Sequence, residues 1–230
     1  MQLIHTLYEP AGAGPHPTIL TLHGRGANAF DLLGLAPHLC GGKFLMICPQ
    51  GPLQMPIGPD AVGYAWYPMS MGGPPAWRRA GSPDMAAILS SQKLLLTFLD
   101  QCLQRYPIDA KKLALLGFSQ GGVMAHSLAL AHPERFVALA VLSSWLPKEL
   151  VQELSIGEGV RSLPTLVQHG TQDPMIEVDR ARDSVERLRD LKVPLTYREY
   201  DMGHEIRPRS LSDLSVWLEE KVLSPIQLAN

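Results

Sequence analysis

Cysteine is scarce in this chain: there are three, Cys40, Cys48 and Cys102, in 230 residues. An odd number without C-x-x-C spacing excludes a disulfide framework and a cysteine-built zinc site, and leaves buried, reduced thiols as the expected state. Charge is sparse too. Asp, Glu, Lys and Arg make up 18% of residues, below the usual quarter or so, and the net charge is only −2. Without a basic block or a Lys/Arg stripe, nucleic acid is excluded as a partner, and no acidic tail is present. No run reaches the ~20 consecutive apolar residues that a membrane span requires. The first residues, Met1-Gln-Leu-Ile-His-Thr-Leu-Tyr8, lack the charged start, apolar stretch and small-residue cleavage site of a secretory signal, so the expected location is cytoplasmic. There is no internal repeat and no low-complexity tract. The choice between a monomer and a homodimer stays open.

What is present is an alternation of apolar runs with helical patterns. Residues 3–8 read as an edge strand, 18–23 and 44–48 as buried strands, and 30–39 as a weak helix. A helix opens at Pro83-Asp84 and carries apolar residues at Ile88, Leu95, Phe98, Leu99 and Leu103. Further strands are expected near 113–116, 136–142, 163–168 and 195–200, with a charged amphipathic helix over 178–191 and a closing helix over 211–222. Strands alternating with helices predict an α/β fold, a mainly parallel sheet covered on both faces. Length allows one sizeable core, so residues 1–230 are expected to form a single domain. Residues 51–83 break the rhythm. They are rich in Gly, Pro and Met, yet hold Tyr64, Trp66, Tyr67 and Trp77. Four large aromatics are costly to leave in water, so this segment reads as an ordered loop packed over a site.

The chemistry centres on Gly117-Phe-Ser-Gln-Gly121, which lies between an apolar strand and a helical pattern. In a G-x-S-x-G turn the serine is strained and exposed, and side chains at the flanking glycines would strike neighbouring backbone. The unpaired amides of the following helical turn favour an oxyanion there. A serine hydroxyl needs a base and a group to orient that base. Asp173, after the strand at 163–168, and His204, after the strand at 195–200, lie at carboxyl ends that a parallel sheet gathers along one edge. The order Ser, Asp, His is that of α/β-hydrolases. Asp201 is a rival acid, whereas Asp179 and Asp183 read as solvated helix residues. The oxyanion hole would take the Gln120 N–H and, from the turn His23-Gly-Arg-Gly26, the Arg25 N–H. His23 reads as a brace for that turn. Trp66 and Met71 in the long loop, with Met175 beside the acid and Met202 beside the base, are candidates to line an apolar substrate pocket.

Together, Leu22-His-Gly-Arg-Gly26, Gly117-Phe-Ser-Gln-Gly-Gly122, His169-Gly-Thr-Gln-Asp-Pro174 and Met202-Gly-His204 resemble the phospholipase/carboxylesterase family of α/β-hydrolases, which includes acyl-protein thioesterases and small bacterial carboxylesterases. The resemblance spans nearly the whole chain. It implies the α/β-hydrolase fold, Ser119 as nucleophile, His204 as base and acid, Asp173 as orienter, and the Arg25 and Gln120 amides as oxyanion hole. It implies no metal and no organic cofactor, and a small-molecule ester as substrate, with lysophospholipids and acyl-protein thioesters as alternatives. Departures border the substrate site: Arg25 where many members carry Leu, Ala27 and Asn28 where an Asp is common, Pro68 after Trp66-Tyr67, and Ser143-Ser144 for a more usual Ser-Gly. Two other readings compete with this one. Gly24-Arg-Gly-Ala-Asn-Ala29 fits a dinucleotide fingerprint, but the next strand ends in Cys48-Pro49-Gln50 and offers no acid for the ribose. A non-catalytic ligand-binding relative would have no use for all three of Ser119, Asp173 and His204. Arg78 and Arg79 are candidates to meet a phosphate head group, with a solvated pair as the plainer reading.

Overall fold

In the computed structural model, which describes residues 3–71 and 80–224, apolar runs form the centre of a seven-stranded sheet. The first strands are β1 (His5–Tyr8), β2 (His16–Leu22) and β3 (Leu45–Pro49). Two short antiparallel pairs follow, β4 (Leu53–Pro56) with β5 (Val62–Ala65) and β6 (Met69–Met71) with β7 (Ala80–Pro83). Helix α1 (Met85–Arg105) leads to β8 (Ile108–Phe118), α2 (Gln120–Ala131) and β9 (Ala138–Leu142). The chain continues through α3 (Lys148–Glu153), β10 (Thr165–Gly170), α4 (Val178–Asp190), β11 (Leu195–Tyr200) and α5 (Pro208–Leu218). The large sheet has the order β1-β3-β2-β8-β9-β10-β11. Only the edge strand β1 runs antiparallel to its neighbour, and the other pairings are parallel.

The strands read as continuous apolar runs because both faces of the sheet are covered. Successive side chains alternate between two cores. Leu20, Leu22, Leu113, Leu115, Leu139 and Val141 meet α1 and α2 on one side, while Ile19, Ala114, Leu116, Ala138, Ala140 and Leu142 meet Leu214, Trp217 and Leu218 of α5 on the other. Helix α1 starts where Asp84 accepts a hydrogen bond from the Ala87 amide at 3.0 Å. Such a cap stabilises by about 1 kcal/mol. Helix α2 is buried along its length from Gln120 to Leu130, as expected of a helix apolar on all sides.

Two expectations are corrected. Residues 30–39 form a 3₁₀ helix at Leu33–His38 with Pro37 inside; a proline there removes the amide that an α-helical turn would need. Residues 51–83 are not free of regular structure, since both antiparallel pairs lie within them. Trp77, Arg78 and Arg79 are outside the described residues.

Three buried histidines predict how the fold meets acid. Burial lowers the pKa of His23, His126 and His169 below 6.5, His126 to about 3 with neither ring nitrogen partnered. Because their folded-state values lie below the unfolded one, the unfolded chain binds more protons as pH falls through 6.5. Stability is therefore full above that pH and is lost below it, at roughly 1.4 kcal/mol per pH unit for each group held neutral. Urea denaturation between pH 7.5 and 4 should show this fall, and His126→Leu should flatten it by about one proton's slope. An unchanged slope would mean that His126 is protonated in the native state.

Candidate active site

The turn at Gly117–Gly121 is built by close backbone approach. A Cβ on Gly121 would strike the Leu22 and His23 carbonyls of the neighbouring strand end, and one on Gly117 would strike the Gly121 backbone. Only glycine fits at either place. Between them Ser119 has φ 53° and ψ −120°, a region that costs on the order of 1–3 kcal/mol for a residue with a side chain. The turn is held from two sides. Ser119 N donates to the Leu142 carbonyl at 3.0 Å, and the Ser119 carbonyl accepts from Gly122 N at 2.9 Å and from Ser144 Oγ at 2.6 Å. Ser144, one of the departures noted in the sequence, is thus a brace for this turn. The Ser119 hydroxyl has no hydrogen bond among the described residues; in unliganded sites the bond from nucleophile to base is commonly long and tightens with substrate.

Asp173 and His204 come together on the same edge. Asp173 Oδ1 accepts from the Met175 and Ile176 amides at 2.8 and 2.9 Å. Its Oδ2 lies 2.7 Å from His204 Nδ1. A carboxylate only accepts, so Nδ1 carries the proton and Nε2 is left as the acceptor that a general base needs. Burial alone would push the Asp173 carboxyl up, but the His204 bond and the Ile176 and Met175 amides outweigh it and hold the group below the usual carboxylate range. The two loops are fastened to each other. Thr171 N donates to the Tyr200 carbonyl at 2.8 Å and Gln172 N to the Met202 carbonyl at 3.1 Å. The Phe118 ring, next to Ser119, lies 5.0 Å from the His204 ring. Asp201 is exposed and takes the Gln172 side chain at 2.5 Å rather than the imidazole. Asp179 and Asp183 pair with Arg182 and Arg187 on the solvated face of α4.

The turn after β2 passes beside Ser119: a Cβ on Gly24 would sit 3.3 Å from that of Ser119. Neither the Arg25 nor the Gln120 amide donates to another group among the described residues, so both remain available to an oxyanion. His23 braces this turn as expected. It accepts from Gly51 N at Nε2 (2.9 Å), so Nδ1 carries the proton and donates to the Gly24 carbonyl at 2.7 Å. No α-helix opens directly after this turn, and Gly26 N is bonded to the Tyr64 carbonyl at 2.8 Å. The phosphate-binding helix N-terminus that a dinucleotide fingerprint supplies is therefore missing here.

The Gln120 side chain carries a role the sequence did not disclose. Its Oε1 accepts from Trp66 N at 2.9 Å and its Nε2 donates to the Tyr67 carbonyl at 2.8 Å, which fastens the aromatic segment to the turn at Ser119. Trp66 was expected to line the substrate pocket. It is instead 1% exposed, sealed in the core, with Nε1 donating to the His23 carbonyl at 2.8 Å. Met202 is buried as well, whereas Met175 is 43% exposed on the turn between the acid and α4. The side chain of Met71 lies outside the described residues. His169, read in the sequence only as the end of a strand, is buried 3.4 Å from Asp173 Oδ2. Among the described residues no group of three or more His, Cys, Asp or Glu is placed to hold a metal ion.

The model of a family described as Phospholipase/Carboxylesterase matches residues 8–222. The chain is 26% identical over 229 residues to "Acyl-protein thioesterase 1" of Gibberella zeae, covering 95% of this chain and 96% of that one. It is 26% identical over 214 residues to "Probable carboxylesterase SOBER1-like" of Arabidopsis thaliana, covering 90% and 79%. Among solved structures, esterase PE8 superposes with a TM-score of 0.81 at 24% identity, over 96% of this chain and all of that one (100%). The Bacillus cereus carboxylesterase superposes with a TM-score of 0.77 at 18% identity, covering 95% and 94%. At these identities the superpositions establish the fold, which is that of the α/β-hydrolases.

Proposed function

The chain belongs to the phospholipase/carboxylesterase family of serine hydrolases, and from that premise we propose that it hydrolyses small to medium acyl esters through a covalent intermediate on Ser119. Ser119 Oγ attacks the ester carbonyl while His204 Nε2 takes its proton. The tetrahedral oxyanion is met by the Arg25 and Gln120 amides. On collapse the C–O bond to the alcohol breaks and the proton passes from His204 to the departing oxygen. Water then attacks the acyl-enzyme with the same assistance, releasing the acid and restoring Ser119. Asp173 holds the imidazole with its proton on Nδ1 throughout. The observation that carries this reading is the 2.7 Å contact between Asp173 Oδ2 and His204 Nδ1, on the same sheet edge as a serine in a strained turn after β8.

Met175 is the one of the four pocket candidates whose side chain is both described and open to solvent, so it is the residue assigned to the rim of the acyl site. The whole chain acts as one domain. A cytoplasmic location is supported by the three free cysteines, whose thiols burial pushes up to about 11 at Cys40 and about 12 at Cys48 and Cys102; none is poised for thiolate chemistry. A fluorophosphonate probe should add its mass to the peptide bearing Ser119. Activity should be greater on p-nitrophenyl butyrate than on a lysophospholipid or an S-acylated peptide. Labelling elsewhere would sink the nucleophile assignment, and preference for one of the other two substrates would move the chain to that branch of the family.

A further inference from the structure

The Asp173 carboxylate is enclosed by more than the triad requires. Its side chain has no exposed surface, and its four acceptor positions face two amides and two imidazoles. The second imidazole is His169. Its Nε2 donates to the Ile176 carbonyl at 2.8 Å and stands 3.4 Å from Asp173 Oδ2. Ile176 in turn donates its own amide to Asp173 Oδ1 at 2.9 Å. The contacts therefore close a ring: imidazole to Ile176 carbonyl, Ile176 amide to one carboxylate oxygen, and the other carboxylate oxygen back beside the imidazole. The Ile176 carbonyl and amide belong to successive peptide units, so the two bonds hold residue 176 from both sides of its Cα, one at His169 and one at the acid. The ring cannot be explained as general packing, because His169 Nδ1 is buried without a partner. Leaving a buried acceptor unsatisfied is destabilising, and a phenylalanine of similar shape would avoid that penalty.

We propose that His169 is a positioning residue for the triad: its Nε2–H group pins the turn at residues 173–176 and sets the orientation from which Asp173 holds His204. The inference rests on the reading of Ser119, Asp173 and His204 as the triad. Burial keeps His169 neutral, so it adds no second cation to compete with His204 for the carboxylate. Asp173, His204 and, from β11, Glu199 are the titratable groups that face it.

His169→Phe keeps the ring's bulk and removes the donor, whereas His169→Gln restores an N–H near the Nε2 position. The Phe variant should lose about 10- to 100-fold in kcat, with KM within about two-fold and native thermal stability, since partners one step removed from reacting groups act on this scale. The Gln variant should return to within about three-fold of the parent. Parental kcat in the Phe variant, or equal losses in both variants, would overturn the proposal. Should the Phe variant not fold, ¹⁵N-histidine spectra of the unaltered protein decide it: His169 is expected neutral and protonated on Nε2, and a proton on Nδ1 would overturn it. Fluorophosphonate labelling separates the two levels of inference. Label on the parent's Ser119 with an unchanged labelling rate in the Phe variant would reject the role of His169 alone, whereas no label on the parent's Ser119 would reject the triad and this role with it.

Discussion

Ser119→Ala should lower kcat on p-nitrophenyl butyrate by a factor on the order of 10⁴–10⁶ and leave the fold intact. Deleting the nucleophile of a triad removes the covalent route altogether, and what remains comes from the oxyanion hole and substrate binding. The structure adds a second expectation, on stability. With φ 53° and ψ −120°, residue 119 stores strain that alanine keeps, because it too has a Cβ, and that glycine releases. Ser119→Gly should therefore be as inactive as Ser119→Ala yet about 1 kcal/mol more stable than the parent in urea denaturation, once the greater chain entropy of glycine is set against the relief of strain. Inactivity with equal stability in both variants would mean that the turn is not strained. Activity within about ten-fold of the parent in either would mean that another group attacks the ester.

The parts of this site that were legible in the sequence are those fixed by local chemistry. Gly117 is required by a backbone clash within the turn and Gly121 by the strand end at Leu22 and His23, a close approach that the G-x-S-x-G spacing signals. Asp173 follows a strand marked by Leu166 and Val167, and His204 one marked by its β-branched and aromatic residues Thr196, Tyr197 and Tyr200. The central strands were legible for the same reason: Leu113 through Leu116 or Ala138 through Leu142 can be buried on both faces only in a covered parallel sheet. The short pairs β4–β5 and β6–β7 were not. Leu53, Gln54 and Pro56 are exposed, so no alternation marks them, and β5 is aligned by the link between Ala27 and Tyr64 in a distant turn. Trp66 was misplaced on similar grounds. An aromatic in a Gly- and Pro-rich segment reads equally as a lid or as core, and the partners that seal it, Gln120 and His23, lie 54 and 43 positions away. His169 shows the same limit. A histidine at a strand end looks like any other until the Asp173 turn folds back over it.

Asp173→Asn should reduce kcat about 10⁴-fold with little change in shape, the size of loss seen when the orienting acid of a triad becomes an amide. The local geometry explains why the amide is trapped in the wrong sense. Two backbone donors, Met175 N and Ile176 N, face one oxygen of the carboxylate, so asparagine must turn its carbonyl toward them. Its NH₂ then faces His204, whose Nδ1 can only accept from it. The proton is forced onto Nε2, and that nitrogen can no longer take one from Ser119. His169 sharpens the conflict, since its Nε2–H would stand near a donor where Oδ2 stood. Stability should carry the same signature. The Asp173 carboxyl is held below its unfolded value by its partners, so its contribution is present above about pH 4 and is lost as pH falls through the folded-state value. The stability difference between parent and Asn variant, measured in urea, should therefore be largest near neutral pH and shrink below about pH 4. An Asn variant retaining more than about a tenth of parental kcat, or a stability difference that does not change with pH, would show that Asp173 is not the ionised partner of His204.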